Sequence, residues 1–203
     1  IYEKFKCSHL ELAKYNPLSG SGKMVIPKKV KDMKSVLSIQ SPDNKCFLYS
    51  VIAGLLNLEN KLPNSERHTC RYTKYLEHLH MVNESNLKYP IRIKDIHQFE
   101  ELNNLSIAVF QWSSEDDCVV PMKHGSGVGK HIDLLYYEDD IAGHYMLIKD
   151  FNAFMRHRTK HHHTMFTCRK CLIAFVDQKK EVEHSILCKQ GINQIVRMPK
   201  PGV

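Results

Sequence analysis

A cysteine stands where a polar turn meets a strongly apolar segment. Residues 41–57 read SPDNKCFLYSVIAGLLN, and Cys46 opens the apolar part. A thiol attacks a carbonyl only as the thiolate, and a free cysteine with a pKa of about 8.5 is mostly protonated at neutral pH. The unpaired N–H groups of a helix N-terminus stabilise the thiolate. Cys46 is therefore a candidate nucleophile, although a cysteine in such a place is often a small buried hydrophobic residue.

Two histidines that open apolar strands are candidates for the general base. His144 follows Gly143 in GHYMLI, and His131 opens HIDLLYY beside a glycine-rich stretch. Because a small residue before a strand-opening histidine leaves the ring accessible at a cleft, we favour His144 over His131. Cysteine–histidine sites pair a thiol at a helix tip with an imidazole on a strand.

Polar side chains that precede Cys46 could support this chemistry. Asp43 lies three residues before Cys46 and brings a carboxylate to the same turn. Gln40 lies six residues before Cys46, where a side-chain amide could donate a hydrogen bond to an oxyanion. Asn44 is a further candidate for this supporting role.

Four residues near the C-terminus have the spacing of a metal site. Cys168, Cys171, His184 and Cys188 form the pattern C-x2-C-x12-H-x3-C. Two thiolates from a knuckle, with a His and a Cys from one helix, supply the ligands of a tetrahedral structural zinc site. The segment resembles C2H2 zinc fingers, with Cys188 replacing the last histidine and Phe175 four residues after Cys171. This resemblance implies a small ββα fold.

The partner of this finger is left open by the sequence. A single finger contacts only about 3 base pairs, so a structural or protein-docking role is favoured. The basic segment 155–171, which contains several histidines, keeps weak nucleic-acid contact as the alternative.

The flanking patterns predict an α+β fold, with helices packed on a small mixed or antiparallel sheet. A nearly continuous apolar run predicts a buried helix over 46–58, and periodic segments predict amphipathic helices over 71–82 and 94–104. Because these helices precede most of the strands, the class is α+β. Strands are expected at 35–40, at 105–112 and in a hairpin over 131–150, with a glycine-rich turn over 121–130.

Bulk composition restricts the class of protein. The chain has 203 residues, and its 42% hydrophobic and 25% charged content is ordinary for one globular domain with a small appendage. No apolar run approaches the ~18 residues that cross a bilayer, and the first residues lack a signal peptide's apolar core. The seven cysteines are therefore expected to be free in a reducing compartment, the cytoplasm or nucleus of a host cell. The net charge of +7 permits a polyanion partner without requiring one.

The segment DNKCFLYSVI resembles the nucleophile segment of the OTU (ovarian-tumour) cysteine proteases. The later strands, followed by G-H-Y and an apolar run, are similar to the closing segment of that family. The resemblance implies that Cys46 is the nucleophile, His144 the general base and Asp43 a supporting or triad residue. It also implies hydrolysis of ubiquitin or related modifiers through a thioester on Cys46.

One position departs from the OTU pattern. Many members carry Asn or Asp two residues after the histidine, to orient its ring, and this chain has Met146 there. Asp43 is the first choice for the missing group. The alternatives are Asp150, Asn152 and Asp133.

A longer stretch is similar to a segment found upstream of the protein-primed family B DNA polymerase in Polinton (Maverick) transposons and adinto-like viruses. The similarity runs from IPKKVKDMKSVLSIQ through GHYMLIKDF to the Cys and His pattern, and VRMPKPG fits the junction leading into a polymerase. It implies a mobile-element or viral origin, and a covalent link to a downstream polymerase region.

These observations divide the chain into five expected segments. They are a leader (1–34), an OTU-like protease domain (35–152), a basic linker (153–166), a C2HC zinc finger (167–190) and a tail (191–203). The leading hypothesis is a deubiquitinase. The alternatives are a DNA- or protein-binding module of a polymerase precursor without catalytic activity, and a cysteine endopeptidase that processes a polyprotein.

Overall fold

The computed structural model describes residues 26–62, 69–85, 87–113, 118–138, 143–156 and 165–189. A mixed six-stranded sheet forms the centre. Its strands are β1 (Val36–Gln40), β2 (Thr69–Arg71), β3 (Leu105–Ser113), β4 (Cys118–Lys123), β5 (Lys130–Glu138) and β6 (Gly143–Ile148). They lie in the order β2-β1-β6-β5-β3-β4; the pairs β1/β2 and β3/β5 are parallel, and the other neighbouring pairs are antiparallel. The predicted α+β class is confirmed.

Helices cover both faces of this sheet, and a two-stranded unit follows. The helices are α1 (Lys28–Lys31), α2 (Cys46–Leu58), α3 (Ile96–Asn103), α4 (Phe151–Arg156) and α5 (Gln178–Lys189), with 3-10 turns at Tyr72–Met81 and Ile93–Asp95. The antiparallel pair β7 (Phe166–Thr167) and β8 (Ala174–Phe175) precedes α5.

Helix α2 is the central element of the larger core. Its residues are buried from Cys46 to Leu56, as the apolar run predicts. Gly54 allows the helix to lie close to the sheet, because a Cβ there would meet Ile132 Cγ2 at 2.8 Å. This packing fixes the place of the helix N-terminus, and so of Cys46.

The alternation of side chains along β6 separates two cores. Tyr145 and Leu147 face the core that contains α2, whereas Met146 and Ile148 face the core on the other side of the sheet. Elements α1 and α4 pack in this second core. By the same alternation, the side chain of His144 leaves the strand on the Met146 side.

The expected amphipathic helix over 71–82 is a 3-10 helix. An α-helical repeat would bury Leu76, but this side chain is 44% exposed. A repeat of about three residues per turn brings Tyr72, Tyr75 and Met81 to the core side. Tyr75 is buried there, and Tyr72, Met81 and also Leu79 pack partly against the core.

Two segments expected to lie outside the domain supply core residues. The linker predicted from residue 153 begins inside α4, whose Phe154 and Met155 are buried. Within the predicted leader, Val30 and Met33 are also buried. In both places apolar residues at helical spacing pack on the sheet, and the surrounding lysines and arginines conceal this pattern in the sequence. The glycine-rich turn predicted over 121–130 likewise begins inside β4.

Among the described residues, no helix has both the length and the apolar character needed to cross a membrane.

Candidate active site and metal centre

The start of α2 lies beside the start of β6. Strand β1 pairs antiparallel with β6, so the end of β1 at Gln40 lies near the beginning of β6. Only residues 41–45 separate β1 from α2. The Cys46 sulfur consequently lies within hydrogen-bond reach of the backbone N–H of Tyr145, the residue that follows His144. The structure therefore places the Cys46 sulfur next to the strand that carries His144, while the His144 side chain leaves that strand on the face away from the α2 core.

The His144 ring is held by Ser38. Its Nε2 lies 3.0 Å from Ser38 Oγ, and both side chains are buried. Burial lowers the pKa of His144 to about 4, so the imidazole is neutral at physiological pH. In the described part of the chain no hydrogen bond joins this ring to the Cys46 thiol.

Sequence reasoning missed Ser38. In the register of β1 with β6, Ser38 lies opposite Met146, the position at which the OTU pattern expects the orienting group. The hydroxyl thus lies on a neighbouring strand, beside the expected place. The signal was a serine in the otherwise apolar strand VLSIQ, where a buried hydroxyl needs a partner.

The resting thiol is less acidic than its place at a helix start predicts. Burial raises the pKa of Cys46 and outweighs the lowering effect of the backbone N–H groups of Tyr145, Phe47 and Cys46 itself. Desolvation penalises the thiolate more than the first helical turn stabilises it. In the free protein the helix start is therefore not enough to lower the pKa of Cys46 below its ordinary value. The same N–H groups nevertheless form a set of donors around the sulfur.

Asp43 is not positioned to orient His144. Its carboxylate accepts hydrogen bonds from the Tyr49 hydroxyl at 2.7 Å and from the Lys45 backbone N–H at 3.1 Å. Partial burial raises the pKa of Asp43, but these hydrogen bonds outweigh burial and lower it. Asp43 therefore stabilises the turn that presents Cys46, which is a supporting role rather than a triad role.

The alternative orienting groups are engaged elsewhere. Asp133 binds His131 and Arg169, and the Asp150 carboxylate accepts from the backbone N–H of Ala153 in α4. Asn152 accepts from the backbone N–H of Thr167. None of these groups hydrogen-bonds to the His144 ring.

The second histidine candidate, His131, belongs to another network. Its Nδ1 lies 2.9 Å from Ser106 Oγ, and its Nε2 lies 2.9 Å from Asp133 Oδ1. Both ring nitrogens are therefore occupied, which removes His131 as a general base for Cys46.

The two supporting amides differ in their settings. Gln40 ends β1 opposite Arg71 of β2 and is partly exposed. Asn44 adopts a left-handed conformation with φ of 61°, which asparagine tolerates better than most residues. Its Oδ1 is buried without a hydrogen-bond partner among the described residues. Asn44 thus holds a buried acceptor without a described partner, two residues before Cys46.

The predicted metal ligands meet at one point. We call Cys168, Cys171, His184 and Cys188 the Cys3His cluster; their ligand atoms all lie within 4.8 Å of one another. Cys171 Sγ lies 3.1 Å from His184 Nε2. The cluster can hold a metal ion, and its sulfur and nitrogen donors are the set that Zn²⁺ prefers.

Local structure explains how the cluster forms. Leu172 has φ of 61°, and its backbone N–H donates to the carbonyl of Cys168 at 2.8 Å, which closes the knuckle between β7 and β8. Helix α5 then brings His184 and Cys188 to the knuckle, with the ring of Phe175 at 4.9 Å from that of His184. Burial and the neighbouring thiols Cys168 and Cys171 raise the pKa of Cys188 to about 11, because adjacent thiolates repel. A bound cation would relieve this repulsion.

Comparison with known proteins returned no match to this chain, whether among family models, curated proteins or solved structures.

Proposed function

We propose that this protein is an OTU-like cysteine hydrolase that cleaves ubiquitin or a ubiquitin-like modifier from its conjugates. One observation carries the proposal: Cys46 opens the buried helix α2 beside the start of β6, while Ser38 holds the His144 ring on that strand. A thiol at a helix tip and an oriented imidazole on an adjacent strand are the parts of a nucleophile–base pair.

The reaction is acyl transfer. The imidazole of His144 takes the Cys46 proton as the sulfur attacks the carbonyl carbon after the modifier's C-terminal glycine. The backbone N–H groups at the start of α2 are positioned to stabilise the oxyanion that forms. The imidazolium then protonates the leaving amine, and water hydrolyses the thioester to release the modifier and the free thiol.

Activation must accompany substrate binding. In the free protein the thiol and the imidazole are both neutral and share no hydrogen bond. Because the His144 side chain leaves β6 on the face away from the α2 core, the start of β6 must rearrange for the sulfur and the ring to meet. Hydrogen bonds of catalytic pairs often form fully only when the substrate is bound.

The Cys3His cluster is proposed to bind one structural Zn²⁺. A metal with four protein ligands has no open position for a substrate. The proposal includes two secondary partners. Nucleic acid would be contacted weakly through residues 155–171, and a downstream polymerase region would be linked covalently to this chain.

A ubiquitin probe with a C-terminal alkyne tests the hydrolase proposal. We expect a covalent adduct on the wild type, none on Cys46→Ala, and slower labelling of His144→Ala. His131→Ala is the matched control, because His131 also lies on a strand but is bonded to other groups, and it should label like the wild type. Absence of an adduct with ubiquitin and with related modifiers would reject the proposal. An adduct confined to another modifier would change the substrate and keep the mechanism.

A binding module without catalytic activity is the second candidate. It is favoured by the burial of Cys46 and by the absence of a hydrogen bond to His144. In that case Cys46 packs in the core as a small apolar residue, and the finger supplies the contact surface. Cys46→Ala would then leave every measurable property except stability unchanged. The third candidate, a polyprotein endopeptidase, shares the chemistry of the first, and cleavage of a precursor in cis would distinguish it.

A further inference from the structure

The knuckle of the Cys3His cluster is docked on the central sheet through one arginine. Arg169 lies between the ligands Cys168 and Cys171, and its Nε lies 3.1 Å and 3.0 Å from the two oxygens of Asp133 on β5. A second guanidinium nitrogen lies 3.0 Å from Asp133 Oδ2. The guanidinium also lies over the ring of Phe151 in α4, 4.8 Å from its centroid. The planar arginine fork therefore meets a carboxylate and an aromatic face together.

Asp133 is built to receive this arginine. The carboxylate is only 7% exposed, so an unpaired charge there would be costly. His131 Nε2 contacts its Oδ1, and Ser106 Oγ contacts the other ring nitrogen. Ser106 Oγ in turn accepts from the backbone N–H of Gly127 at 3.0 Å. A chain of polar groups thus fixes the carboxylate from the side of the sheet.

Further contacts make the docked surface continuous. The backbone N–H of Thr167 donates to Asn152 Oδ1 at 3.0 Å, and Leu172 packs against the second core. One metal ligand, Cys168, is only 3% exposed. The metal module is therefore packed against the sheet, unlike a finger on a flexible tether.

We propose that metal binding at the Cys3His cluster holds Arg169 against Asp133 of the sheet, a contact that we call the clamp. Through this contact the metal stabilises the whole domain and not the finger alone. The inference rests on the metal site proposed above. It does not depend on hydrolase activity. Arg169 is placed by a knuckle whose two cysteines share one ion, so loss of the ion frees the guanidinium and leaves the buried Asp133 carboxylate with His131 as its remaining described partner.

The clamp acts on the strand pair that carries His144 at its other end. Asp133 lies opposite Ile148 in the pairing of β5 with β6, whereas His144 lies opposite Tyr137. The clamp is therefore an effect on domain stability that is separate from the position of the His144 ring.

Trp112 reports on this coupling because it is the chain's single tryptophan and lies buried in β3, outside the metal module. Urea unfolding of the full chain is followed by Trp112 fluorescence, with saturating Zn²⁺ and after chelation. We expect Zn²⁺ to raise the urea midpoint of the wild type. In Arg169→Gln that shift should fall by more than half.

The matched control is Lys170→Gln. Lys170 is the next residue of the knuckle, but its Nζ binds the Cys188 carbonyl inside the module. We expect it to retain the full Zn²⁺ shift. Asp133→Asn tests the contact from the other side and should lose the shift as Arg169→Gln does. Competition with a chromogenic chelator measures Zn²⁺ affinity separately for each variant.

The outcomes separate the clamp from the metal site. Stoichiometric Zn²⁺ binding that leaves the wild-type midpoint unchanged would overturn the clamp while the metal site stands. A full shift in Arg169→Gln would also overturn it. Absence of Zn²⁺ binding would overturn both the metal site and the clamp.

Discussion

At the scale of single residues, Ser38 is the group on which the orientation of the candidate base depends. Ser38 is 2% exposed, and its hydroxyl lies 3.0 Å from the His144 Nε2. A buried hydroxyl on one ring nitrogen fixes the orientation of the ring and leaves the other nitrogen for proton transfer. Ser38 is a positioning residue in this reading, because it acts through His144 and not on the substrate.

Replacing Ser38 should slow turnover without unfolding the protein. We expect Ser38→Ala to reduce kcat on a fluorogenic ubiquitin substrate by roughly 10- to 100-fold, because a misplacement of about 1 Å can cost that much. The acidic limb of its pH–rate profile should also move, which a purely structural role would not cause. The control is Ser35→Ala, since Ser35 is also buried and its Oγ has no partner among the described residues. Equal kinetics of Ser38→Ala and the wild type would reject the positioning role.

The buried neutral His144 predicts a specific loss of stability in acid. Burial lowers its pKa from 6.5 to about 4, so below pH 6.5 the unfolded chain binds a proton more readily than the folded chain. The free energy of unfolding should therefore fall as the pH drops from 6.5 towards 4, with a contribution of about 3 kcal/mol at most. Urea titrations of the wild type and His144→Gln over this range measure the difference. Parallel curves for the two proteins would contradict it.

The raised pKa of Cys46 predicts slow alkylation in the free protein. Iodoacetamide should modify Cys46 more slowly than the half-buried Cys118 at neutral pH, because burial disfavours the thiolate and limits access. The Cys46 rate should keep rising above pH ~8.5, where an ordinary thiol levels off. Peptide mass spectrometry gives both rates in one sample. Rapid modification of Cys46 at pH 7 would show a preformed thiolate.

At the scale of elements, α4 is the clearest departure from the sequence-based expectation. Its Phe154 is fully buried, with its ring 6.4 Å from that of Trp112, although the surrounding residues are basic. The short helix thereby closes the second core and sets the position of Phe151 beneath Arg169. An element expected to be a linker instead joins the sheet to the metal module.

Truncating Phe154 should destabilise the domain as a core substitution does. We expect Phe154→Ala to lower the free energy of unfolding by about 3–5 kcal/mol, through lost burial and the cavity left behind. Arg156→Ala in the same helix is exposed and should cost no more than about 0.5 kcal/mol. Denaturant unfolding followed by Trp112 fluorescence measures both. A cost below 1 kcal/mol for Phe154→Ala would mean that α4 is not part of the folded unit.

At the scale of the whole molecule, the net charge of +7 bears on the binding-module alternative. Charge alone gives affinity for a polyanion that does not depend on sequence and that salt weakens steeply. Helix α1 and the knuckle supply lysines on described surfaces, including Lys28, Lys31 and Lys170.

We expect duplex DNA binding by this chain to be weak and to disappear between about 50 and 200 mM salt, because it rests on phosphate contacts. Fluorescence polarisation with two unrelated duplexes, across a salt series, measures affinity and sequence preference. The DNA affinity of Cys168→Ser is compared with that of the wild type, to find whether the metal module contributes to DNA binding. Tight binding to one duplex at 200 mM salt, lost in Cys168→Ser, would favour the binding module over the hydrolase.

The sequence by itself determined the features that depend on local spacing. An apolar run fixed α2 with Cys46 at its start, and alternating segments fixed β5 and β6 with His144 at the opening of β6. The pattern C-x2-C-x12-H-x3-C brought the Cys3His cluster together, because a knuckle and one helix suffice to converge these side chains. In each case neighbours along the chain define the geometry.

Only the tertiary structure decided which groups meet across the sheet. Ser38 and His144 are 106 residues apart, and Asp133 and Arg169 are 36 apart. Their contacts follow from strand register and from the packing of α4, which periodicity along one segment does not encode. The acidity of Cys46 was likewise a tertiary outcome, because burial by distant strands outweighed the local effect of a helix start.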